Sequence, residues 1–367
     1  MKKRSLFLQT FFLFGLLLML AALTTACKND PADTSGATTA AVTTYAPAPV
    51  TTAATPEPDI PHQPTFSEHT NSETQRTDYY TVSGYTGNSG KLVIPKSYKG
   101  LPVMAIAPGA FAGSTTLEEV EFEADADIRS IGYRAFAGCR ALTSVQMNDH
   151  LLVIRERAFE NCSALTSLTI PDSVTAIGFA ALSGCDALTR LRIPFVGTSR
   201  PGADTPVSDV LGKYEETTLP LLSDYAGADT LFGYIFGGRE YNTDLPIPAG
   251  AIHQGLERTV KTASIPTTYQ YRYDIPLSLR HVTVTDTGTL VQNAFAGCAM
   301  LETLILPAGL ETVASGAFLG CDGLTIYSHA AAPASGWSSD FNPDGRPIYF
   351  APSWRMDGDL PVPGSAG

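Results

Sequence analysis

Leu165-Thr-Ser-Leu168-Thr-Ile170-Pro171 returns 23 residues later as Leu188-Thr-Arg-Leu191-Arg-Ile193-Pro194, and this recurrence decides the fold. The same offset links Phe136 to Phe159, Cys139 to Cys162 to Cys185, Phe295 to Phe318 and Cys298 to Cys321, while Phe111 stands 25 residues before Phe136. A fixed period of this size is the mark of a solenoid, in which a single unit cannot bury its apolar face and must stack on its neighbours. Each unit runs Leu-x-x-Leu-x-Ile, usually a Pro, then Val-x-x-Ile, then Ala-Phe-x-Gly-Cys, with Leu182 replacing Phe in one copy. That order predicts a strand, a turn, a second short strand and a short helical turn. Six units are legible, at Phe111, Phe136, Phe159, Leu182, Phe295 and Phe318. Four precede a long interruption and two follow it.

Within each leading strand the first, fourth and sixth residues point inward, so the third and fifth project and stack in columns along the solenoid. The columns read Glu119 and Glu121, Ser144 and Gln146, Ser167 and Thr169, Arg190 and Arg192, then Thr303 and Ile305. The face passes from acidic to basic. Its expected ligand contacts are Glu119, Glu121, Gln146, Thr169, Arg190 and Arg192, with the interruption overhanging them; the alternative is an ordinary solvated sheet face. The interruption, residues 195–276, carries Tyr234, Phe236, Arg239 and Tyr241. These types are enriched at binding hot spots, and they serve equally well as the internal core of a side lobe.

Outward from the repeats, the chain divides by composition. Residues 1–27 have a basic start at Lys2, Lys3 and Arg4, an apolar run from Leu6 to Leu23 and a small-residue end at Cys27, which reads as an export signal. The Cys after such a run resembles the lipobox of bacterial lipoproteins, although Thr24 stands where that pattern prefers Leu. The resemblance implies lipidation at Cys27 and an exported, membrane-anchored chain; an uncleaved anchor or simple cleavage after Ala26 are the alternatives. Residues 28–76 are rich in Thr, Ala, Pro and Ser and read as a disordered stalk. Residues 77–194 then hold an N-terminal cap and four repeats, 277–326 two repeats, 327–355 a C-terminal cap with Trp337 and Trp354, and 356–367 a disordered tail. Leu360-Pro-Val-Pro-Gly364 approaches a sortase motif but has Pro where Thr is required.

The pairs Ile131-Gly132, Ala135-Phe136 and Gly138-Cys139 resemble the repeats of the BspA-like leucine-rich-repeat family of bacterial surface proteins. Leu92-Val-Ile-Pro95 with Gly100-Leu-Pro-Val103 is similar to that family's entry segment, and Phe232 to Gly237 to its interrupting element. The resemblance implies a leucine-rich-repeat solenoid of α/β class, mainly parallel strands with short helical turns, interrupted by an irregular insertion and capped at both ends. It also implies a cell-surface protein that binds host or neighbouring-cell molecules, but fold does not name the ligand.

The remaining signals narrow the function. The net charge of -12 and pI near 4.9 argue against a nucleic-acid partner, whose phosphates call for clustered Lys and Arg. Cys139, Cys162, Cys185, Cys298 and Cys321 recur at a spacing wrong for a zinc knuckle and are odd in number. They are expected to form a structural ladder of reduced, buried thiols. Glu121, Glu123, Asp125 and Asp127 lack the ligand order of a calcium loop, so no metal and no cofactor is expected. No Gly-x-Ser-x-Gly, His-Glu-x-x-His or phosphate-binding Gly-x-x-x-x-Gly-Lys motif occurs, and no catalytic residue is assigned. A hydrolytic site using His253, His281 and Glu257 is the minor reading. A monomeric surface protein binding an extracellular protein or glycan is the major one, with a structural envelope component as the alternative.

Overall fold

The computed structural model describes residues 63–199, 228–242, 254–262 and 265–364. The export signal, Cys27 and most of the expected stalk lie outside these residues, as does His253.

Leading strands and shorter second strands build two sides of one solenoid. The leading strands are β3 (Lys91–Ile94), β6 (Glu119–Phe122), β8 (Ser144–Gln146), β10 (Ser167–Thr169), β12 (Arg190–Ile193), β16 (His281–Val284), β18 (Thr303–Leu306), β20 (Thr325–Ser328) and β22 (Ile348–Phe350). They form two parallel sheets, β3-β6-β8 and β10-β12-β16-β18-β20-β22. The second side consists of β2 (Thr77–Thr86), β5 (Leu101–Ile106), β7 (Ser130–Ile131), β9 (Val153–Ile154) and β11 (Ala176–Ile177), then β17 (Thr289–Leu290), β19 (Thr312–Val313) and β21 (Gly336–Trp337). Short β4 (Ser97–Tyr98) pairs with β5. One apolar core runs from Tyr80 to Trp337.

The Ala-Phe columns fill that core as stacked rings. Phe111, Phe136, Phe159, Phe295 and Phe318 are fully buried, and the Phe136 and Phe159 rings lie parallel with centroids 5.2 Å apart. Successive turns take the place of the expected helical turns, and the only helices among the described residues are two 3-10 segments, Ala228–Thr230 and Phe232–Phe236. The backbone explains this. The residue before Ala-Phe has positive φ at Arg134, Arg157, Ala180 and Asn293, and the residue before Cys does so at Gly138, Asn161, Gly184, Gly297 and Gly320. Two left-handed residues within five positions break any α-helix. The Gly of Gly-Cys is there because Gly enters that region without steric cost, with Asn the next best tolerated.

A cleaner case of the same strain joins β4 to β5 through Lys99 (φ 49) and Gly100 (φ 81), a two-residue turn with both centres left-handed. Asn-Gly is the favoured pair for such a turn. Lys99 is exposed, so Lys99→Asn should stabilise the fold by up to about 1 kcal/mol. A rise in urea midpoint at unchanged slope is the expected result, and no rise would contradict the reading of this turn.

Three regions differ from expectation. Residues 63–76, assigned to the stalk by composition, supply β1 (Gln63–Thr70) and a turn, with β1 antiparallel to β2. Its polar sequence hides a single anchor, Phe66, which stacks on Tyr98 at 4.1 Å. The interruption is partly built into the solenoid: Leu182 N–H donates to the Ile235 carbonyl at 2.8 Å, and Phe232 N–H to the Ala294 carbonyl at 3.0 Å. The 3-10 segment 232–236 thus stands as an additional coil between the fourth and fifth units. The described interruption also holds an antiparallel sheet of β13 (Gly238–Asn242), β15 (Ile265–Tyr273) and β14 (Gly255–Thr262). Buried Gln254 stitches it down, accepting from Gly233 N–H at 2.6 Å and donating to the Asn293 and Ala294 carbonyls at 2.8 and 2.7 Å.

The third region is the C-terminus. Residues expected as a tail form a hairpin, β23 (Trp354–Asp357) with β24 (Leu360–Pro363). The sortase-like segment is its second strand, and the cap lies not only at the end of the solenoid but across its leading-strand face.

Candidate functional site

The leading strands place the projecting residues in two rows, in the register of the parallel ladders. Row one is Lys91, Glu119, Ser144 and, beyond a break, Ser167, Arg190, His281, Thr303 and Thr325. Row two is Val93, Glu121, Gln146, then Thr169, Arg192, Thr283, Ile305, Tyr327 and Tyr349. The acidic-to-basic order expected for Glu119, Glu121, Gln146, Thr169, Arg190 and Arg192 is therefore present on one face. His281 and Thr283 were missed in it, although Leu279-Arg-His-Val282-Thr-Val284 carries the leading-strand pattern. They sit between Arg190 with Arg192 and Thr303 with Ile305.

The break opens a groove in the face. No ladder joins β8 to β10, and the sheet divides there. A groove of about 700 Å³ lies over the division, lined by Ser144, Gln146, Ser167 and Thr169 from the two rows, with Asp172 and Arg192 at one side. Volume in this range accommodates a small ligand or a stretch of a larger one. The lining offers hydroxyl and amide groups that both donate and accept, and carboxylates that accept. Asp172 accepts from Thr285 Oγ1 and lies 3.6 Å from Arg192. That pair orients the guanidinium at the rim while both side chains remain about half exposed.

Toward the C-terminus the face closes. Trp354 is 8% exposed, its ring 5.5 Å from Tyr327 and 4.8 Å from His329, with Nε1–H donating to the Ser328 carbonyl at 2.9 Å. Ile305, expected to project freely, is buried in this cluster. From the hairpin tip Asp359 reaches Arg190 at 2.9 Å across 169 residues of sequence. His281, between Arg190 and Thr303, shares a 2.8 Å hydrogen bond with Thr303 Oγ1. Its pKa is lowered, first by desolvation and further by the neighbouring Arg190 and Arg280, against the opposing pull of Glu302.

Corrections to the expected contacts follow from burial. Tyr234 and Phe236 are 6% and 0% exposed and belong to the solenoid core, because the segment that carries them is a coil of the stack and not a projecting loop. They cannot meet a ligand. Arg239 is exposed on β13 and pairs with Asp274 at 3.2 Å. Tyr241 and Glu257 lie on β13 and β14, but their side chains fall outside those described. Among the described residues the element over the leading-strand face is the C-terminal hairpin, and the contacts of segment 232–237 and Gln254 run to the turn side, at Ala180, Leu182, Asn293 and Ala294; residues 200–227, 243–253 and 263–264 of the interruption lie outside the described residues. At the acidic end Glu121 pairs with Lys91 at 2.6 Å, Glu123 accepts from Lys96 N–H at 2.8 Å and Asp127 pairs with Arg129 at 2.8 Å.

The cysteine column is buried and free of disulfides among the described residues. Four of its thiols donate to the carbonyl of the preceding coil's Phe: Cys139 to Phe111, Cys162 to Phe136, Cys185 to Phe159 and Cys321 to Phe295, at 3.1 to 3.3 Å. Burial raises every one of these pKa values, Cys139 to about 11 and Cys185 and Cys321 to about 12.

The family model for BspA type leucine rich repeat regions matches six copies, over residues 88–199 and 267–331. Among solved structures the chain is similar to a leucine rich repeat protein of T. pallidum, at 21% identity over 71% of this chain and 78% of that one, with a TM-score of 0.35. A leucine-rich repeat protein of Bacteroides capillosus is 26% identical over 34% of this chain and 91% of its own, with a TM-score of 0.28. A leucine rich cell surface protein of Faecalibacterium prausnitzii is 18% identical over 74% and 78%, with a TM-score of 0.20. No protein of curated function matches the chain.

Proposed function

This chain carries BspA-type leucine-rich repeats, and on that basis we propose that it is a bacterial surface protein, lipid-anchored through Cys27, that recognises an extracellular protein or glycan on its leading-strand face. The observation that carries this reading is the polar groove of about 700 Å³ between β8 and β10. An ordinary solvated sheet face is continuous. Here two sheets part where the projecting side chains are small and neutral, leaving open space flanked by carboxylates and a guanidinium. No helix among the described residues is long and apolar enough to cross a membrane.

Gln146 and Thr169 are exposed and line the groove from β8 and β10, so Gln146→Arg with Thr169→Arg should fill it without touching the core. Binding to arrayed host proteins, host glycans and the producer's own wall polymer measures the consequence. A saturable host ligand weakened at least about tenfold by the double change, a loss of about 1.4 kcal/mol, supports recognition through the groove. Binding confined to wall polymer, or indifferent to the double change, would retire it in favour of a structural role in the envelope.

A further inference from the structure

In a chain of net charge -12, the middle of the leading-strand face is a local exception. Arg190 and Arg192 project from β12, Arg280 stands just before β16, and His281 opens β16 in register with Arg190; Asp172 pairs with Arg192 at 3.6 Å and Glu302 with Arg280 at 3.2 Å, so Arg190 is the cation of this group that the hairpin answers. What sits on this spot is acidic: the tip of the C-terminal hairpin reads Asp357-Gly358-Asp359, and Asp359 holds Arg190 at 2.9 Å. The two ends of that hairpin are held very differently. At its base Trp354 is buried against Tyr327 and hydrogen-bonded to Ser328, and Gly364 N–H donates to the Ser353 carbonyl at 2.7 Å. At its tip the ion pair is open to solvent, the Arg190 and Asp359 side chains being 49% and 80% exposed. Exposed pairs of this kind contribute little and are screened by salt. The fold therefore places an acidic segment, with a fixed root and an easily displaced end, over the Arg190 guanidinium.

We infer that the Arg190 end of the leading-strand face is a docking site for an acidic, extended segment of a protein partner, and that the tip of β23–β24 occupies it as an internal stand-in. This rests on the reading of that face as the binding surface and names the chemistry of what it takes. The stand-in shows the geometry of recognition: a carboxylate on a short turn meets the guanidinium while the flanking strand runs over the face. The groove continues directly from this spot, since Ser167 pairs in register with Arg190 and Thr169 with Arg192. An incoming segment that displaces the tip gains Arg190 and then runs beside Arg192 into the groove. The tip sets a threshold, because only a segment more acidic than Asp357-Gly358-Asp359 competes well for the patch.

The test uses the full chain and fluorescein-labelled hexaglutamate, with hexaserine as the uncharged control. At low salt hexaglutamate should bind saturably and hexaserine should not. Asp359→Asn, which removes the charge of the stand-in while leaving Trp354 seated, should tighten hexaglutamate by about two- to five-fold. Arg190→Glu should abolish binding in both backgrounds, and the advantage of Asp359→Asn should vanish at high salt. Trp354 fluorescence, unchanged across the variants, verifies that the hairpin base is intact. Equal affinity for hexaglutamate with and without Asp359, binding that survives Arg190→Glu, or no binding at all would each overturn the inference. None of these outcomes bears on the groove itself, which stands or falls with Gln146 and Thr169.

Discussion

Raising the pH from 8 to about 10 should unfold the repeat domain, with a slope that steepens through about pH 8.5 toward a limit of about 7 kcal/mol per pH unit. The five column cysteines are 0% exposed, and desolvation raises each of their pKa values, Cys139 to about 11, Cys185 and Cys321 to about 12, and Cys162 and Cys298 likewise upward. An unfolded thiol titrates near about 8.5. Above that pH the unfolded chain releases five protons that the folded chain retains, so stability falls with a slope of about 1.4 kcal/mol per unit for each thiol. The sign is that of a group whose folded pKa is raised: its contribution is fully present below the unfolded value and is lost as pH climbs toward the folded one. Since a domain's stability is about 5–15 kcal/mol, one to two pH units suffice. Urea titrations at pH 7, 8, 9 and 9.5 measure the slope. Replacing Cys162 and Cys298 with Ala should cut it by roughly two fifths, whatever it does to stability at pH 7. A slope below about 2 kcal/mol per unit would mean that the thiols are not sealed in the stack.

Phe159→Ala should destabilise the domain by about 3–5 kcal/mol. Phe159 is fully buried, parallel to Phe136, and bordered on its other side by the coil of Leu182, in which the Ala181 carbonyl accepts the Phe159 N–H at 2.8 Å. Removing the ring empties a position shared by three coils. In a stack held only by nearest neighbours, such a gap weakens the interfaces on both sides, so the unfolding transition should also broaden as the flanking repeats uncouple. Phe159→Leu is the informative companion. Leu182 already occupies the same column in the next coil, so Leu should cost less than about 1.5 kcal/mol. Equal losses for Ala and Leu would show that the ring stack itself, and not the filled volume, carries the stability.

Tyr234 and Phe236 illustrate why parts of the site were not legible in the residues. Aromatics in a non-repeating segment look the same whether they face a partner or the core, since composition reports what a side chain can do and not which way it points. What placed them was the ladder of hydrogen bonds from Leu182 to Ile235 and from Phe232 to Ala294, contacts made across more than 50 residues and invisible to any local window. His281 and Thr283 were legible, because they stand at the third and fifth positions of a leading strand that abuts the interruption. Phe66 and β1 were not, since one apolar residue in eight carries no period.

The repeat period, the inward and outward positions of every leading strand, the buried columns of Phe and Cys and the change of charge along the face all follow from the sequence by itself. They are consequences of spacing, and a strand's alternation or a solenoid's period is written in the order of the residues. Tertiary structure alone decided where the sheet parts between β8 and β10, that the interruption contributes a coil to the core, and that the C-terminal hairpin returns to Arg190. Each depends on which of many sterically possible long-range contacts loses the least backbone hydrogen bonding while burying the most apolar surface. That balance is struck over the whole molecule, so no single segment contains it.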